Sequence, residues 1–315
     1  MAQTKVFFAS DVHGSEKVFM KFIKASKFYE VNVLILGGDL TGKVVIPIVE
    51  QSDGSYSARF IGEDITIKSK EELEELSKRI RYTGYYPLVT SPQNAEELSA
   101  SKAKLDAVFS QLMVERIKSW VDLAEERLKD VDVKCYIMPG NDDRPEIGEA
   151  LHRSSIFMLN PEGKIVKVDE SHEMISLGFS NITPWNAPRD IPEEELEQKL
   201  EQMATSVVDM KNCIFNLHCP PFDSGLDSAP RLDEDHKPSM DAQFIPVGSQ
   251  AVRKAIEKYQ PLLGLHGHIH ESRGIRKIGR TICINPGSEY AEGYLRGALV
   301  VLDEKKIKAF MLTSG

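Results

Sequence analysis

The stretch VFFASDVHGS, residues 6–15, sets the pattern from which the fold is predicted. The apolar run over residues 5–9 predicts a buried strand, and Asp11 and His13 follow it directly. Residues 15–28 then have the apolar spacing of a helix. A strand, a polar loop and a helix in this order are typical of an α/β fold, which binds its ligands at the carboxyl ends of the strands.

The same order of apolar strand and polar residue recurs along the chain. Strands are predicted over residues 31–36, 134–138, 212–217 and 262–265, and they precede Asp39, Asn141, His218, and the pair His268 and His270. Residues 165–168 and 174–179 have the pattern of an antiparallel pair. In an α/β sheet these strand ends share one edge, so the polar residues are predicted to lie together.

Residues 41–132 differ from the rest and are interpreted as an insertion within a single domain that spans residues 1–315. KVVIPIVE and YSARFIG flank Asp53-Gly54, which predicts a β-hairpin. A polar helix over residues 68–80, a loop that includes Tyr85 and Tyr86, and a long helix over residues 95–129 follow. This is more chain than a simple crossover between two strands needs.

The bulk composition excludes several classes of protein. The chain has 315 residues, a net charge of −9 and an isoelectric point of about 5.5, so it lacks the overall basic character of nucleic-acid binders. No apolar stretch approaches the roughly 20 residues of a membrane span. The four cysteines form no CxxC pair, and we expect free thiols in a reducing, cytoplasmic compartment: Cys135, Cys213, Cys219 and Cys283.

The strand-end residues form a set that metal ions can use, although each motif alone is weak. A single Asp after a strand is more often a turn former, and a single His is more often structural. Mixed Asp, Asn and His ligands favour Mn, Fe, Zn or Co over Ca. Two ions about 3.5–4 Å apart that share a carboxylate would use all seven candidates, whereas one tetrahedral zinc would not. The candidates are Asp11, His13, Asp39, Asn141, His218, His268 and His270.

In this order, DVHGS, GGDL, GND, HCPP, GHIH and INPGS resemble the calcineurin-like metallophosphoesterase superfamily. The resemblance covers residues 5 to about 302, except for the insertion and residues 150–210. It implies a four-layer α/β/β/α sandwich with the site on one edge. It also implies that a hydroxide held by two metal ions attacks the phosphorus of an ester.

The resemblance further implies a role for each candidate ligand. Asp11, His13 and His270 would hold the first ion, Asp39 would bridge both, and Asn141, His218 and His268 would hold the second. Mn or Fe is the expected pair of ions, with Zn as the alternative.

One departure concerns Asp142, because family members usually carry His after the Gly-Asn pair and that His can protonate the leaving group. Here Asp142 and Asp143 follow Asn141, which leaves the acid catalyst open. Arg144 is a candidate for contact with a substrate phosphate. Its alternative is an ion pair with Asp143 or with a surface carboxylate.

The function predicted from the sequence is hydrolysis of a small phosphomonoester or phosphodiester. A nuclease on the same metal site is one alternative, and the acidic charge argues against it. A binding scaffold that has lost its metals is another, and Asp142 is the one residue that favours it. The sequence leaves the substrate, the metal, the oligomeric state and the role of the insertion open.

Overall fold

The computed structural model describes residues 3–151, 157–233, 235–237 and 243–315. Its strands are β1 (Thr4–Ala9), β2 (Val33–Leu36), β3 (Val45–Glu50), β4 (Tyr56–Phe60), β5 (Glu63–Ile67), β6 (Tyr86–Thr90), β7 (Lys134–Ile137), β8 (Met158–Leu159), β9 (Ile165–Lys167), β10 (Glu173–Leu177), β11 (Ser180–Asn181), β12 (Asp190–Ile191), β13 (Ile214–Leu217), β14 (Ser228–Pro230), β15 (Phe244–Pro246), β16 (Leu263–Leu265), β17 (Gly274–Ile278), β18 (Thr281–Asn285), β19 (Arg296–Asp303) and β20 (Lys306–Ser314).

The α-helices are α1 (Glu16–Phe28), α2 (Lys70–Tyr82), α3 (Pro92–Ala100), α4 (Lys102–Leu128), α5 (Pro145–Leu151), α6 (Glu193–Ala204) and α7 (Gln250–Tyr259). Side chains that accept from the backbone mark where several helices begin, as helix N-caps do. Ser15 accepts from Val18 at the start of α1, and Ser249 accepts from Val252 at the start of α7.

Two six-stranded sheets form the centre of the molecule. The first has the order β20-β19-β1-β2-β7-β8, and the second has the order β17-β18-β16-β13-β10-β9. In each sheet four adjacent strands run parallel, from β1 to β8 in the first and from β18 to β10 in the second. The antiparallel pair of β9 and β10 confirms the prediction for this segment.

The two sheets pack face to face, as the alternation of side chains in β1 shows. Val6 and Phe8 belong to the apolar cluster between the sheets, which also contains Ile214 and Leu265 of the second sheet. Phe7 points to the other side and packs in the cluster of the first helical layer. Successive strand residues point to opposite faces, so a strand buried on both faces is apolar throughout.

Helices cover both outer faces. α1, α4 and α5 contribute to the cluster outside the first sheet, and α6 and α7 contribute to the cluster outside the second. The resulting order of layers is helix, sheet, sheet, helix. The predicted α/β/β/α sandwich is therefore confirmed.

The segment after Asp39 forms a smaller unit with its own sheet, in the order β5-β4-β3-β6. Helix α2 packs on this sheet through a separate apolar cluster that includes Ile48, Phe60 and Ile80. Tyr86 was predicted to lie in a loop, which is wrong, because residues 86–90 are a strand. They form β6, which pairs parallel with β3, and this distant pairing leaves no signal in the local sequence.

The long helix predicted over residues 95–129 is divided. Ser101 has extended backbone, ends α3 and caps α4, accepting from Lys104. Among the described residues no helix is long and apolar enough to cross a membrane.

Candidate metal centre

The seven candidate ligands meet at one edge of the sandwich, although they come from both sheets. The first sheet supplies four of them after β1, β2 and β7: Asp11, His13, Asp39 and Asn141. The second sheet supplies the other three after β13 and β16: His218, His268 and His270. Parallel strands carry their carboxyl ends to a common edge, and the packing of the two sheets joins the two edges.

The first group consists of Asp11, His13 and His270. The Nε2 atoms of His13 and His270 are 3.0 Å apart, and Nε2 of His270 is 3.4 Å from Oδ1 of Asp11. Burial lowers the pKa of His13 to about 3, so its ring is neutral and retains a free lone pair. Two imidazole nitrogens that face each other beside a carboxylate suit a shared cation.

The second group consists of Asp39, His218 and His268, and Asn141 lies beside it. Nε2 of His218 is 3.3 Å from Oδ1 of Asp39 and 3.1 Å from Oδ1 of Asn141. Nδ1 of His218 lies 2.8 Å from the carbonyl oxygen of Gly37. If Nδ1 donates to this carbonyl, Nε2 is left as the ligand atom, the usual arrangement for a metal-binding histidine.

Asp39 lies between the two groups. Its Oδ1 faces His218 at 3.3 Å, and its Oδ2 faces Nε2 of His13 at 3.6 Å. Burial alone would raise the pKa of Asp39, but the neighbouring His218 holds that pKa well below its ordinary value. A carboxylate with one oxygen toward each group is suited to bridge two cations.

The backbone of the site is strained at the ligand residues themselves. Four of them have positive φ angles: Asp11 at 57°, His13 at 40°, Asp39 at 51° and His268 at 67°. Left-handed backbone is costly for residues other than glycine and concentrates at functional sites. The fold therefore holds these four side chains in conformations that ordinary loops avoid.

Two glycines let the loops of the site approach each other. A Cβ atom at Gly140 would lie 2.1 Å from Oδ1 of Asp39. Gly38 has a φ of +119°, and a Cβ atom there would lie 2.4 Å from Nδ1 of His218. A larger residue at either position would push a candidate ligand out of place.

A curated relative supports a common origin. The uncharacterized protein MJ1162 of Methanocaldococcus jannaschii is 36% identical over 177 residues, which make up 55% of this chain and 72% of the relative. The chain and MJ1162 belong to one family. No protein-family model matches the chain.

Solved structures share the fold. One aligns over 99% of both chains with 18% identity and a TM-score of 0.57. Another, TT1561 of Thermus thermophilus, aligns over 100% of this chain and 99% of its own with 14% identity and a TM-score of 0.52. The motifs occur in the expected order on a double-sheet sandwich, and their polar residues meet at one edge. This arrangement is the one that the resemblance to the calcineurin-like metallophosphoesterase superfamily implies.

The chain differs from the usual motif of that superfamily at Asp142, which lies at the edge of the site. Its carboxylate forms an ion pair with Lys43, and its Oδ2 is 4.0 Å from Nδ1 of His13. Its backbone N–H donates to Oδ1 of Asp39 over 3.0 Å. Burial and the neighbouring Asp39 raise the pKa of Asp142, whereas Lys43 opposes this rise. A catalytic role for Asp142 stays a prediction.

The side chain of Arg144 contacts helix α4. Its guanidinium donates to Ser110 Oγ over 2.7 Å and to Asp106 Oδ1 over 3.1 Å, and it lies over the ring of Phe109. The contact with Asp106 matches the surface-carboxylate alternative. The role of Arg144 in binding a substrate phosphate stays a prediction.

Asp143 has a structural arrangement that the sequence did not reveal. It is fully buried and accepts from the backbone N–H groups of Leu40, Thr41 and Gly140. It thus ties the loop after β2 to the loop after β7. Burial raises the pKa of Asp143 to about 6, with a further contribution from Asp39.

The sequence analysis also missed residues that lie next to the site in space but carry no motif in the sequence. Lys43 follows β2 by seven residues, and the pair Arg189-Asp190 belongs to a segment without a recognised motif. Tyr290 lies 4.7 Å from His13 between ring centroids. None of these positions is marked by a local pattern, since each approaches the site only through the tertiary fold.

Proposed function

We propose that this protein is a metal-dependent phosphoesterase that hydrolyses a small phosphomonoester or phosphodiester with two divalent ions. The observation that carries the proposal is the position of Asp39, whose two oxygens face two separate groups of ligand residues. Mn or Fe is the proposed pair of ions, with Zn as the alternative, because the donors mix imidazole nitrogen with carboxylate and amide oxygen.

Two such ions, when bound, supply an activated water and neutralise charge on the phosphoryl group. The first would be held by Asp11, His13 and His270, and the second by Asn141, His218 and His268, with Asp39 shared. The neutral state of His13 keeps a nitrogen lone pair available, and donation from Nδ1 of His218 to Gly37 would leave its Nε2 as the ligand atom. Lys43 and Asp142 add one cation and one anion at the rim, where a substrate would enter.

The charge of the chain supports a small substrate. A net charge of −9 opposes binding of an extended phosphate backbone, while a local cation such as Lys43 and the bound ions can still attract one phosphate. The four cysteines are free and buried, which supports the proposed cytoplasmic location.

The test begins with metal content. Protein stripped with a chelator and reloaded with Mn²⁺, Fe²⁺ or Zn²⁺ should bind about two equivalents. It should then hydrolyse members of a panel of phosphomonoesters, cyclic nucleotides, dinucleotides and other diesters. Well under one equivalent in every condition would favour the scaffold alternative, and a strong preference for single-stranded nucleic acid would favour the nuclease.

A further inference from the structure

The segment Arg189-Asp190 holds the loop that carries Asn141. The Arg189 guanidinium donates to the carbonyl oxygen of Gly140 over 2.9 Å, and its backbone N–H donates to the carbonyl oxygen of Asn141 over 3.0 Å. Nδ2 of Asn141 donates to Oδ1 of Asp190 over 2.9 Å. Arg189 is itself buried and paired with Glu162. Three hydrogen bonds therefore join this segment to two consecutive residues of the candidate metal centre.

The second oxygen of Asp190 holds a separate loop. Oδ2 accepts from Thr183 N over 2.9 Å, from Thr183 Oγ1 over 2.5 Å and from Ala187 N over 2.9 Å. Trp185 lies between these two residues and is 67% exposed. A single carboxylate thus connects Asn141 with residues 183–187.

The carboxylate also decides which way the Asn141 amide faces. An amide can rotate by half a turn, which exchanges its oxygen with its nitrogen at little steric cost. An ionised carboxylate only accepts hydrogen bonds, so it requires Nδ2 on its own side. The oxygen Oδ1 is then left to face Nε2 of His218 at 3.1 Å, on the side of the second group.

We propose that Asp190 is a positioning residue, which presents Oδ1 of Asn141 to the second ion and couples occupancy of that site to residues 183–187. This inference rests on the proposed function, because it requires a cation at the second group. A cation at Oδ1 polarises the amide and strengthens the bond from Nδ2 to Asp190. Occupancy of the second site should therefore restrict residues 183–187.

The first experiment reverses the hydrogen bond. In D190N the new amide can keep an oxygen toward Thr183, but its nitrogen then faces the Asn141 nitrogen. In N141D two carboxylates face each other. In the double variant N141D/D190N, the amide of residue 190 donates to the carboxylate of residue 141, and the hydrogen bond returns with opposite polarity.

Calorimetric titration with Mn²⁺ measures the outcome. Loss of such an outer contact typically weakens metal binding by about 10–100-fold. D190N, which leaves the ligand itself unchanged, should weaken the second equivalent to that extent and leave the first nearly unchanged, and the double variant should recover most of that loss. D130N is the matched control, because it makes the same substitution at an exposed aspartate outside the candidate centre and should leave the second equivalent unchanged.

The second experiment needs no variant. The chain has two tryptophans, and Trp120 is buried whereas Trp185 is exposed, so quenching of fluorescence by acrylamide reports on Trp185. In the wild type, quenching should fall as the second equivalent of Mn²⁺ binds and stay constant during the first. D190N should abolish this fall.

The outcomes separate the two proposals. A wild type that binds fewer than two equivalents contradicts the proposed function itself. If the wild type binds two equivalents but quenching of Trp185 does not change as the second one binds, the proposed role of Asp190 is wrong. The same conclusion follows if D190N binds the second equivalent normally, or if the double variant binds it no better than D190N does.

Discussion

At the scale of single residues, Asp39 has the position on which the candidate centre depends. It is buried, has a strained φ of 51°, and directs one oxygen toward each ligand group. An amide at this position has a single oxygen and no charge, so it cannot bridge two cations in the same way. The site should then lose affinity for both ions.

We expect D39N to bind less than one equivalent of Mn²⁺ and to lose at least about 10³-fold in turnover, the scale associated with loss of a main electrostatic contribution. Metal analysis after gel filtration and an assay with an aryl phosphate would measure both. D130N is the control, because Asp130 is exposed and should tolerate the same change. A fully active, metal-loaded D39N protein would overturn the two-metal proposal.

Lys43, seven residues after β2, is a cation at the edge of the centre. Its ammonium pairs with Asp142, and its side chain remains 53% exposed, so it can also meet an incoming phosphate. K43A should raise KM for a phosphate ester by roughly 10-fold, equal to about 1.4 kcal/mol, and change metal content little. K43R should recover part of the loss because it retains the charge.

The control for Lys43 lies beside the same small sheet. Lys68 is exposed and directly follows β5, and K68A should leave KM unchanged. Steady-state kinetics of the three variants with one substrate would measure the effect. If K43A and K68A behave alike, Lys43 has no part in binding the substrate.

At the scale of elements, α4 connects two parts of the molecule. Its second half packs in the cluster outside the first sheet, where Trp120 stacks on Phe19 with ring centroids 4.1 Å apart. Its first half carries Asp106 and Ser110, which hold Arg144. The predicted insertion at residues 41–132 therefore contains residues that pack in the main core, and its boundaries remain a prediction.

Truncation of Trp120 tests how far the core extends into α4. W120A should destabilise the fold by about 3–5 kcal/mol, the usual cost of removing a buried aromatic side chain. L105A is the control near the start of the same helix, where Leu105 is 38% exposed and the cost should be below about 1 kcal/mol. Urea unfolding would give both values. Equal and small costs would mean that α4 is a peripheral element.

At the scale of the whole molecule, the candidate centre joins the two sheets. Asp39 and His13 follow strands of the first sheet, while His218 and His270 follow strands of the second. A cation held by residues from both sheets binds the folded chain and not the separated sheets. Metal binding should therefore stabilise the entire sandwich.

At a free Mn²⁺ concentration of 100 times Kd, each site should contribute about 2.7 kcal/mol to the free energy of unfolding. For a chain of this size, that corresponds to a rise in Tm of roughly 5 °C for each site. Differential scanning calorimetry with Mn²⁺ and with a chelator would measure the shift, and D39N should show little of it. Identical melting curves in the two conditions would contradict binding across the sheets.

The sequence by itself determined the sandwich and the set of residues at its edge. Buried strands such as β1 are apolar on both faces, and a turn or polar loop follows each of them, so local patterns show where strands end. Asp11 and His13 were found in this way, as were His268 and His270. The resemblance to a known superfamily then supplied the layer order, which the structure confirms.

Only the tertiary structure decided which distant segments complete the site. Strand β6 forms because β3 lies beside it, and Asp190 reaches Asn141 across 49 positions of the chain. Lys43 likewise meets Asp142 only in the folded chain, across almost a hundred positions. Such contacts join single polar residues without a repeating pattern, and chain folding alone brings them within hydrogen-bonding distance. For this reason the sequence predicted the strand-end residues and did not reveal the residues that position them.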